Sequence, residues 1–314
     1  MFDELTFWIL FGLVFAILFY IDLYVTGHRS GAITLKKSLI WSGIWICTAL
    51  LFNLFLYFYL EDGRTKALEF LTGYVIEYSL SVDNLFVFLL IFKVMNVSMV
   101  NQPKILKWGI LSAIVFRIAF ILVGVGLIKL FHPIIYLFAI ILLYAAYKMI
   151  FEGEHKVDVD NNPLVKFFAK YFKLLPGDHG GKFFVKQDRK RFMTTLFLTL
   201  LLIESTDILF AVDSIPAIIA ITRDEFIIIT SNIFAILGLR ALYFALAGVV
   251  DMFAYLKYGV ALVLFFVGVK MLLSDFLTIS TAISLCIIIA VLGSSVILSL
   301  LKRKTSSEEN RKNE

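Results

Sequence analysis

Long runs of apolar residues, separated by short polar linkers, dominate the pattern along the chain. About nine of these runs reach the ~20 residues that an α-helix needs to cross the hydrocarbon core of a bilayer. The pattern therefore predicts an all-α, polytopic membrane protein with about nine transmembrane helices. The predicted spans cover residues 6–26, 38–60, 68–92, 105–130, 132–151, 193–220, 225–250, 254–273 and 279–301.

The composition agrees with this pattern and nearly excludes a soluble enzyme. Of the 314 residues, 61% are hydrophobic and only 17% are charged, whereas a soluble domain has about 45–50% and about 25%. The acidic first residues do not match a cleavable signal peptide, so the first run is predicted to be a spanning helix. The two cysteines, Cys47 and Cys286, lie inside apolar runs, which disfavours a disulfide framework or a cysteine-based zinc site.

The basic residues predict how the chain is oriented in the membrane. Lys and Arg concentrate in the linkers 27–37, 93–104 and 152–192 and just after residue 301, while the intervening linkers carry few. By the positive-inside rule, the N-terminus is predicted to lie outside and the C-terminus in the cytoplasm. The net charge of +5 is thus explained by cytoplasmic linkers next to the lipid bilayer, and no nucleic-acid partner is expected. The linker 152–192 is predicted to be amphipathic or partly ordered, and the polar tail 305–314 to be disordered.

Charged residues inside the apolar runs reveal an internal repeat. Ser81-Val82-Asp83-Asn84 resembles Ala211-Val212-Asp213-Ser214, and an acid, Glu77 or Asp207, lies six residues before the aspartate of each motif. One predicted helix later the matching residues are Arg117 and Arg240, and a Lys-Met pair follows in the next helix of each copy. A unit of three spans used twice must insert in opposite orientations, which gives an inverted repeat of the kind typical of secondary transporters.

The repeat divides the chain into six predicted parts. Residues 1–60 form two N-terminal transmembrane helices and residues 61–151 form repeat A. After the cytoplasmic loop 152–192, the predicted parts are repeat B at 193–273, the last transmembrane helix at 274–301 and the cytoplasmic tail 302–314.

Five carboxylates lie within the spans that open the two repeats: Glu77, Asp83, Glu204, Asp207 and Asp213. An unpaired carboxylate at the bilayer centre costs about 2.5–3.5 kcal/mol or more, so these groups must face one another, a cation or an aqueous path. Oxygen ligands of this kind favour Mn²⁺, Mg²⁺ or Ca²⁺ over Zn²⁺ or Cu⁺. Protons are plausible counter-ions, because a buried acid cluster loses its protons when the metal binds.

Helix geometry suggests how these acids are arranged. An inverted repeat has a pseudo-two-fold axis in the membrane plane. If this axis passes between the acid pairs, Asp83 lies at the same depth in the membrane as Asp207, and Glu77 lies at the same depth as Asp213. Glu204 lies on the same helical face as Asp207, and an inner cluster of Asp83, Asp207 and Glu204 is predicted. Several further residues are candidate accessory groups, either as ligands, as structural ion-pair partners or as gating residues: Asn84, Ser214, Asp22, Arg117 and Arg240.

The motifs around these acids resemble a known family. The stretches Leu71–Glu77 with Ser81–Asn84, Ile203–Asp207 with Phe210–Ala217, and Thr230–Arg240 are similar to signature segments of the TerC family, closest to its Alx-like manganese exporter branch. The resemblance implies a bacterial inner-membrane protein that exports Mn²⁺, with Mn²⁺ as substrate rather than a permanently bound cofactor. The acids that the family uses for transport fall on the five carboxylates named above.

Three functions are compatible with these features. The first is a secondary exporter of a divalent metal ion, driven by ion gradients because no Walker-type phosphate loop is present. The second is a membrane partner protein that supports tellurite resistance or the metallation of secreted enzymes, with the acids as a structural network. The third, an intramembrane enzyme with paired aspartates, is disfavoured by the repeat and by the excess of acids, so the protein is expected not to be an enzyme.

Overall fold

A computed structural model describes residues 4–24, 34–131, 133–151, 162–177, 179–187, 190–247, 255–277 and 279–313. Nearly all of the described chain is α-helical, as the sequence predicts. The helices are α1 (Glu4–Tyr24), α2 (Leu35–Tyr59), α3 (Gly63–Val94), α4 (Gln102–Leu130), α5 (Ile134–Phe151), α6 (Pro163–Ala169), α7 (Thr195–Ile219), α8 (Glu225–Ile236), α9 (Leu239–Ala247), α10 (Leu256–Leu272) and α11 (Thr281–Asn313). Three strands interrupt them: β1 (Lys173–Leu175), β2 (Phe184–Gln187) and β3 (Lys190–Thr194).

Six helices in the described residues are long and apolar enough to cross a membrane: α2, α3, α4, α5, α7 and the first 22 residues of α11. The bent pair α8–α9 makes a seventh if it is counted as one span. The remaining two predicted spans are shorter, since the described apolar stretch of α1 is Thr6–Asp22 and α10 has 17 residues. The described part of the chain therefore has six or seven spans by length and composition, where the sequence predicts about nine.

Two of the long helices form the centre of the protein. In the apolar stretch of each helix, 59% of the residues of α3 and 56% of those of α7 are buried, against 22% in α2 and 28% in both α5 and α11. Helix α8 lies with them, and its residues from Phe226 to Ile236 are all buried. The predicted repeat-opening spans, which carry the five acids, are therefore the most enclosed of the long helices.

A bend at Gly238 interrupts the predicted span 225–250. Helices α8 and α9 meet there at 41°, and Gly238 has a φ of +84°, a left-handed conformation that side chains with a Cβ disfavour. Trp45 of α2 packs against this position, because a Cβ on Gly238 would lie 2.6 Å from the Trp45 Cγ. Glycine is therefore required both by the backbone and by the neighbouring indole.

The linker between the two predicted repeats is more ordered than the sequence suggests. Asn162 caps α6, its side chain accepting a hydrogen bond from the Val165 amide at 3.1 Å. The three strands follow in the order β1-β3-β2, with β1 parallel and β2 antiparallel to β3. The prediction of a disordered tail is wrong for most of its length, since α11 continues to Asn313.

Candidate cation site

Arg117 lies at the centre of a buried polar cluster that four helices form. Its side chain on α4 is 2% exposed and pairs with Glu77 of α3. A second ion pair joins the Arg117 Nη2 to the Asp207 Oδ1 of α7 at 3.2 Å. The Asn232 Oδ1 of α8 lies 3.5 Å from the Arg117 Nη1. Two acids that the sequence places at equivalent positions of the repeat thus meet on one guanidinium.

Glu204 extends this cluster along α7. Its Oε1 accepts a hydrogen bond from Ser112 of α4 at 2.5 Å, and Glu204 and Asp207 lie within electrostatic range of each other. Its other carboxylate oxygen, Oε2, is buried and has no hydrogen-bond partner among the described residues. An unpaired buried carboxylate oxygen is costly, so this atom is suited to accept a cation or a proton.

The charges in the cluster do not balance. When ionised, the three carboxylates of Glu77, Glu204 and Asp207 exceed the charge of Arg117 by two negative charges. All four side chains are buried, and burial makes an uncompensated charge expensive. The cluster therefore favours binding of additional positive charge, and its excess equals the charge of one divalent cation.

The other predicted ligands have different surroundings. Position 83 lies within α3, but the Asp83 side chain lies outside the described residues. Asp213 is half-buried and within electrostatic range of Lys148. Asn84 and Ser214 are buried, and the Ser214 hydroxyl has no hydrogen-bond partner in the described part of the chain.

The second buried arginine, Arg240, pairs with Asp22. The Arg240 Nε on α9 donates to the Asp22 Oδ2 on α1 at 3.0 Å, and both residues are buried. Asp22, which the sequence predicts as an accessory group, thus belongs to an ion pair of its own. Both arginines nevertheless neutralise carboxylates, which was one of the roles expected of them.

The predicted ladder of acids differs from the observed arrangement. Glu77 was expected at the depth of Asp213, but it shares Arg117 with Asp207. The long Arg117 side chain joins α3 to α7 at this level, a contact that the spacing of acids along single helices does not reveal. Within the described residues, no three His, Cys, Asp or Glu side chains are arranged to hold a metal ion.

Sequence reasoning missed Ser112 as a partner of the acids. A serine within an apolar run has no distinctive signal, and its contact depends on how α4 packs against α7. The Asn232 side chain donates to the Ile228 carbonyl of its own helix at 3.0 Å, while its Oδ1 faces Arg117 of α4.

The fold and the cluster define a class: a multi-pass helical membrane protein with an acid-rich buried site among its central helices. The chain belongs to the TerC family, since the model of the "Integral membrane protein TerC family" matches residues 62–307. The five acids predicted from the sequence all lie within the matched residues, whereas Asp22 lies before them.

Relatives cover almost the whole chain. The Escherichia coli (strain K12) protein named "Putative membrane-bound redox modulator Alx" is 43% identical over 296 residues, covering 92% of each chain. A protein of the same name from Photorhabdus laumondii is 38% identical and covers 97% of each chain. An uncharacterized membrane protein of Myxococcus xanthus is 40% identical, covering 90% of this chain and 88% of its own. No solved structure matches the chain.

Proposed function

We propose that this protein is a secondary transporter that exports a divalent metal ion, Mn²⁺ foremost, through the acids of its central helices. The observation that carries the proposal is the cluster around Arg117, where the guanidinium pairs with the buried Glu77 and Asp207 and a third buried carboxylate, Glu204, lies within electrostatic range of Asp207. Buried ionisable groups in a membrane protein are costly and generally mark an ion or substrate path. The all-oxygen ligand set favours Mn²⁺, Mg²⁺ or Ca²⁺, and the family resemblance favours Mn²⁺.

Arg117 has a specific part in this proposal. Its guanidinium pairs with Glu77 and Asp207 and balances one of the three negative charges of the cluster, and the arriving divalent cation balances the other two. Glu204, which lies nearer the start of α7 and the basic linker, receives the cation first. Asp83 and Asp213 continue the path, with Asn84 and Ser214 as further oxygen ligands and protons as the counter-ion.

The same proposal includes the membrane architecture. Nine spans arise if α1, α10 and the bent pair α8–α9 each cross the membrane, and helices α3–α5 and α7–α10 then form the two halves of the inverted repeat. A pseudo-two-fold axis near Arg117 is consistent with the meeting of Glu77 and Asp207, since equivalent residues approach each other only near such an axis. The proposed setting is a bacterial inner membrane, with the N-terminus outside and the C-terminus in the cytoplasm.

Flux measurements in proteoliposomes test this function. We expect Asp207→Asn to abolish most Mn²⁺ flux, because the amide keeps the shape but removes the charge that attracts the cation. Glu225→Gln is the matched control, since Glu225 pairs with Lys129 at the protein surface, where both side chains are exposed. Equal Mn²⁺ flux for wild type and Asp207→Asn would refute a metal path through this cluster.

A second candidate is a membrane partner protein that carries no ion itself. The ion pairs of Arg117 and the hydrogen bond from Ser112 to Glu204 are also what a purely structural network would contain. The two functions differ in cells, where a non-transporting partner would keep metal tolerance in a folded Asp207→Asn variant. Loss of tolerance together with loss of flux would instead support the exporter.

A further inference from the structure

A cavity of about 320 Å³ lies beyond the C-terminal end of α7, at the end of the helices opposite the basic linker. Its polar lining includes Glu69, Thr222, Lys270 and Ser274. A divalent cation with six waters needs about 180 Å³, at about 30 Å³ for each water. The cavity is therefore large enough for a hydrated cation.

Glu69 is the carboxylate that lines this cavity. Its Oε2 accepts a hydrogen bond from Thr222 at 2.7 Å, and it makes no ion pair with any described residue. The neighbouring acids are already neutralised, since Asp224 pairs with Lys66 at 2.9 Å and Glu225 pairs with Lys129 at 2.5 Å. Glu69 is the acid that lines this cavity, and its carboxylate is available to a cation.

Helix α3 connects Glu69 to the Arg117 cluster. Glu69, Gly73 and Glu77 are spaced four residues apart and lie along one side of the helix, about 6 Å from one to the next. A Cβ on Gly73 would lie 2.9 Å from the Ser231 Oγ and 3.4 Å from the Ile218 Cγ2. The glycine therefore leaves α3, α7 and α8 in close contact, with a serine hydroxyl midway between the two acids.

Lys270 brings a positive charge into the same cavity. Its Nζ donates to the Ser284 Oγ at 3.0 Å, and the ammonium lies within electrostatic range of Glu69. The ammonium is too far from Glu69 to form a salt bridge, so it lowers the affinity of the carboxylate for a second cation without occupying its oxygens. Arg223 also lines the cavity, so one carboxylate faces two basic side chains and the site binds a divalent cation weakly.

We propose that Glu69 and Lys270 form a low-affinity release site for the hydrated divalent cation, beyond the Arg117 cluster on the path away from the cytoplasm. Glu69 accepts the cation from the cluster, and the charge of Lys270 promotes its departure. This inference rests on the proposed exporter function. It adds a role for two charged residues outside the five predicted acids.

Inhibition of export by Mn²⁺ on the release side tests this site. With Mn²⁺ loaded on the cytoplasmic side of proteoliposomes, we expect Lys270→Gln to lower the half-inhibiting Mn²⁺ concentration roughly tenfold, since one repulsive charge is lost. Glu69→Gln should raise that concentration by roughly the same factor. The matched controls, Lys129→Gln and Glu225→Gln, change a lysine and an acid at the same end of the protein and should behave as wild type.

The conservative variant Lys270→Arg separates charge from packing. It keeps the positive charge and should keep the wild-type half-inhibiting concentration, whereas a shift as large as that of Lys270→Gln would overturn the electrostatic role. If the wild type transports and the Glu69 and Lys270 variants behave like the controls, the release site is wrong while the exporter function stands. Absence of Mn²⁺ flux in the wild type would overturn both.

Discussion

The two buried arginines occupy matching positions of the predicted repeat, yet their surroundings differ. Arg117 lies within α4, a continuous helix of 29 residues, and contacts acids from the two most enclosed helices. Arg240 lies on α9, just after the bend at Gly238, and pairs with Asp22 of the peripheral helix α1. One arginine is thus surrounded by the central acids, and the other fastens the N-terminal helix to the bent pair.

This difference separates a transport role from a structural one. At Arg117 the carboxylates of the cluster carry two negative charges more than the guanidinium neutralises, so the cluster can take up one divalent cation. In the Arg240–Asp22 pair, Asp22 lies before the part of the chain that matches the TerC family, since that part begins at residue 62. We therefore assign the cation path to the Arg117 cluster and the anchoring of α1 to the Arg240 pair.

The largest effect is expected from Arg117→Gln. It leaves Glu77 and Asp207 without a guanidinium in a buried site, a change that costs about 3–5 kcal/mol. Thermal unfolding in detergent measures the loss, and adding Asp207→Asn should recover part of it because one uncompensated charge is removed. An unchanged unfolding temperature for Arg117→Gln would contradict the proposed charge balance.

Asp22→Asn should have a smaller effect and only on stability. The amide still accepts a hydrogen bond from Arg240, so we expect a loss of about 2–3 kcal/mol. The Mn²⁺ concentration that gives half-maximal flux should stay within about twofold of wild type, since Asp22 lies off the proposed path. A large change in that concentration would remove the distinction between the two arginines.

The bend in front of Arg240 can be tested through Gly238→Ala. A left-handed backbone and contact with Trp45 should together cost about 2 kcal/mol, measured as a lower unfolding temperature. Gly126→Ala in α4 is the control, because a Cβ there meets no atom within 4 Å and alanine favours the helix. Equal stability of the two variants would argue against a fixed bend.

The smallest effect is expected from Ser112→Ala. Loss of one hydrogen bond to Glu204 should cost about 1 kcal/mol and change the Mn²⁺ dependence of flux, while Ser294→Ala, at an exposed position of α11, should change neither. If both serine variants match the wild type, Glu204 does not depend on α4 for its position.

Much of the fold follows from the sequence because membrane helices obey simple rules of length and polarity. Most predicted spans coincide with helices, and the family expected from the acid motifs is confirmed. The bend at Gly238 was missed, since one glycine in an apolar run does not indicate a left-handed backbone held by Trp45. The three-stranded sheet was also missed, because its short strands lie in a linker without a clear apolar alternation.

The candidate site was only partly predictable. The cost of charge in lipid identified the acids and arginines as residues with partners. Which acid faces which arginine depends on helix packing and side-chain reach. Glu77 was expected at the depth of Asp213 in the membrane, but it shares Arg117 with Asp207. Glu69 was missed because it lies near the start of α3, where the sequence suggests an ordinary acid at the membrane interface. The cavity that it lines depends on how the helices pack.

Binding of Mn²⁺ to the purified protein tests the central claim most directly. Electron paramagnetic resonance follows free Mn²⁺, whose sharp signal weakens when the ion binds. We predict that wild type and Asp22→Asn bind Mn²⁺ alike, whereas Glu77→Gln and Asp207→Asn bind it at least about tenfold more weakly, through loss of a charged ligand. Unchanged binding in Glu77→Gln and Asp207→Asn would contradict a cation site at Arg117.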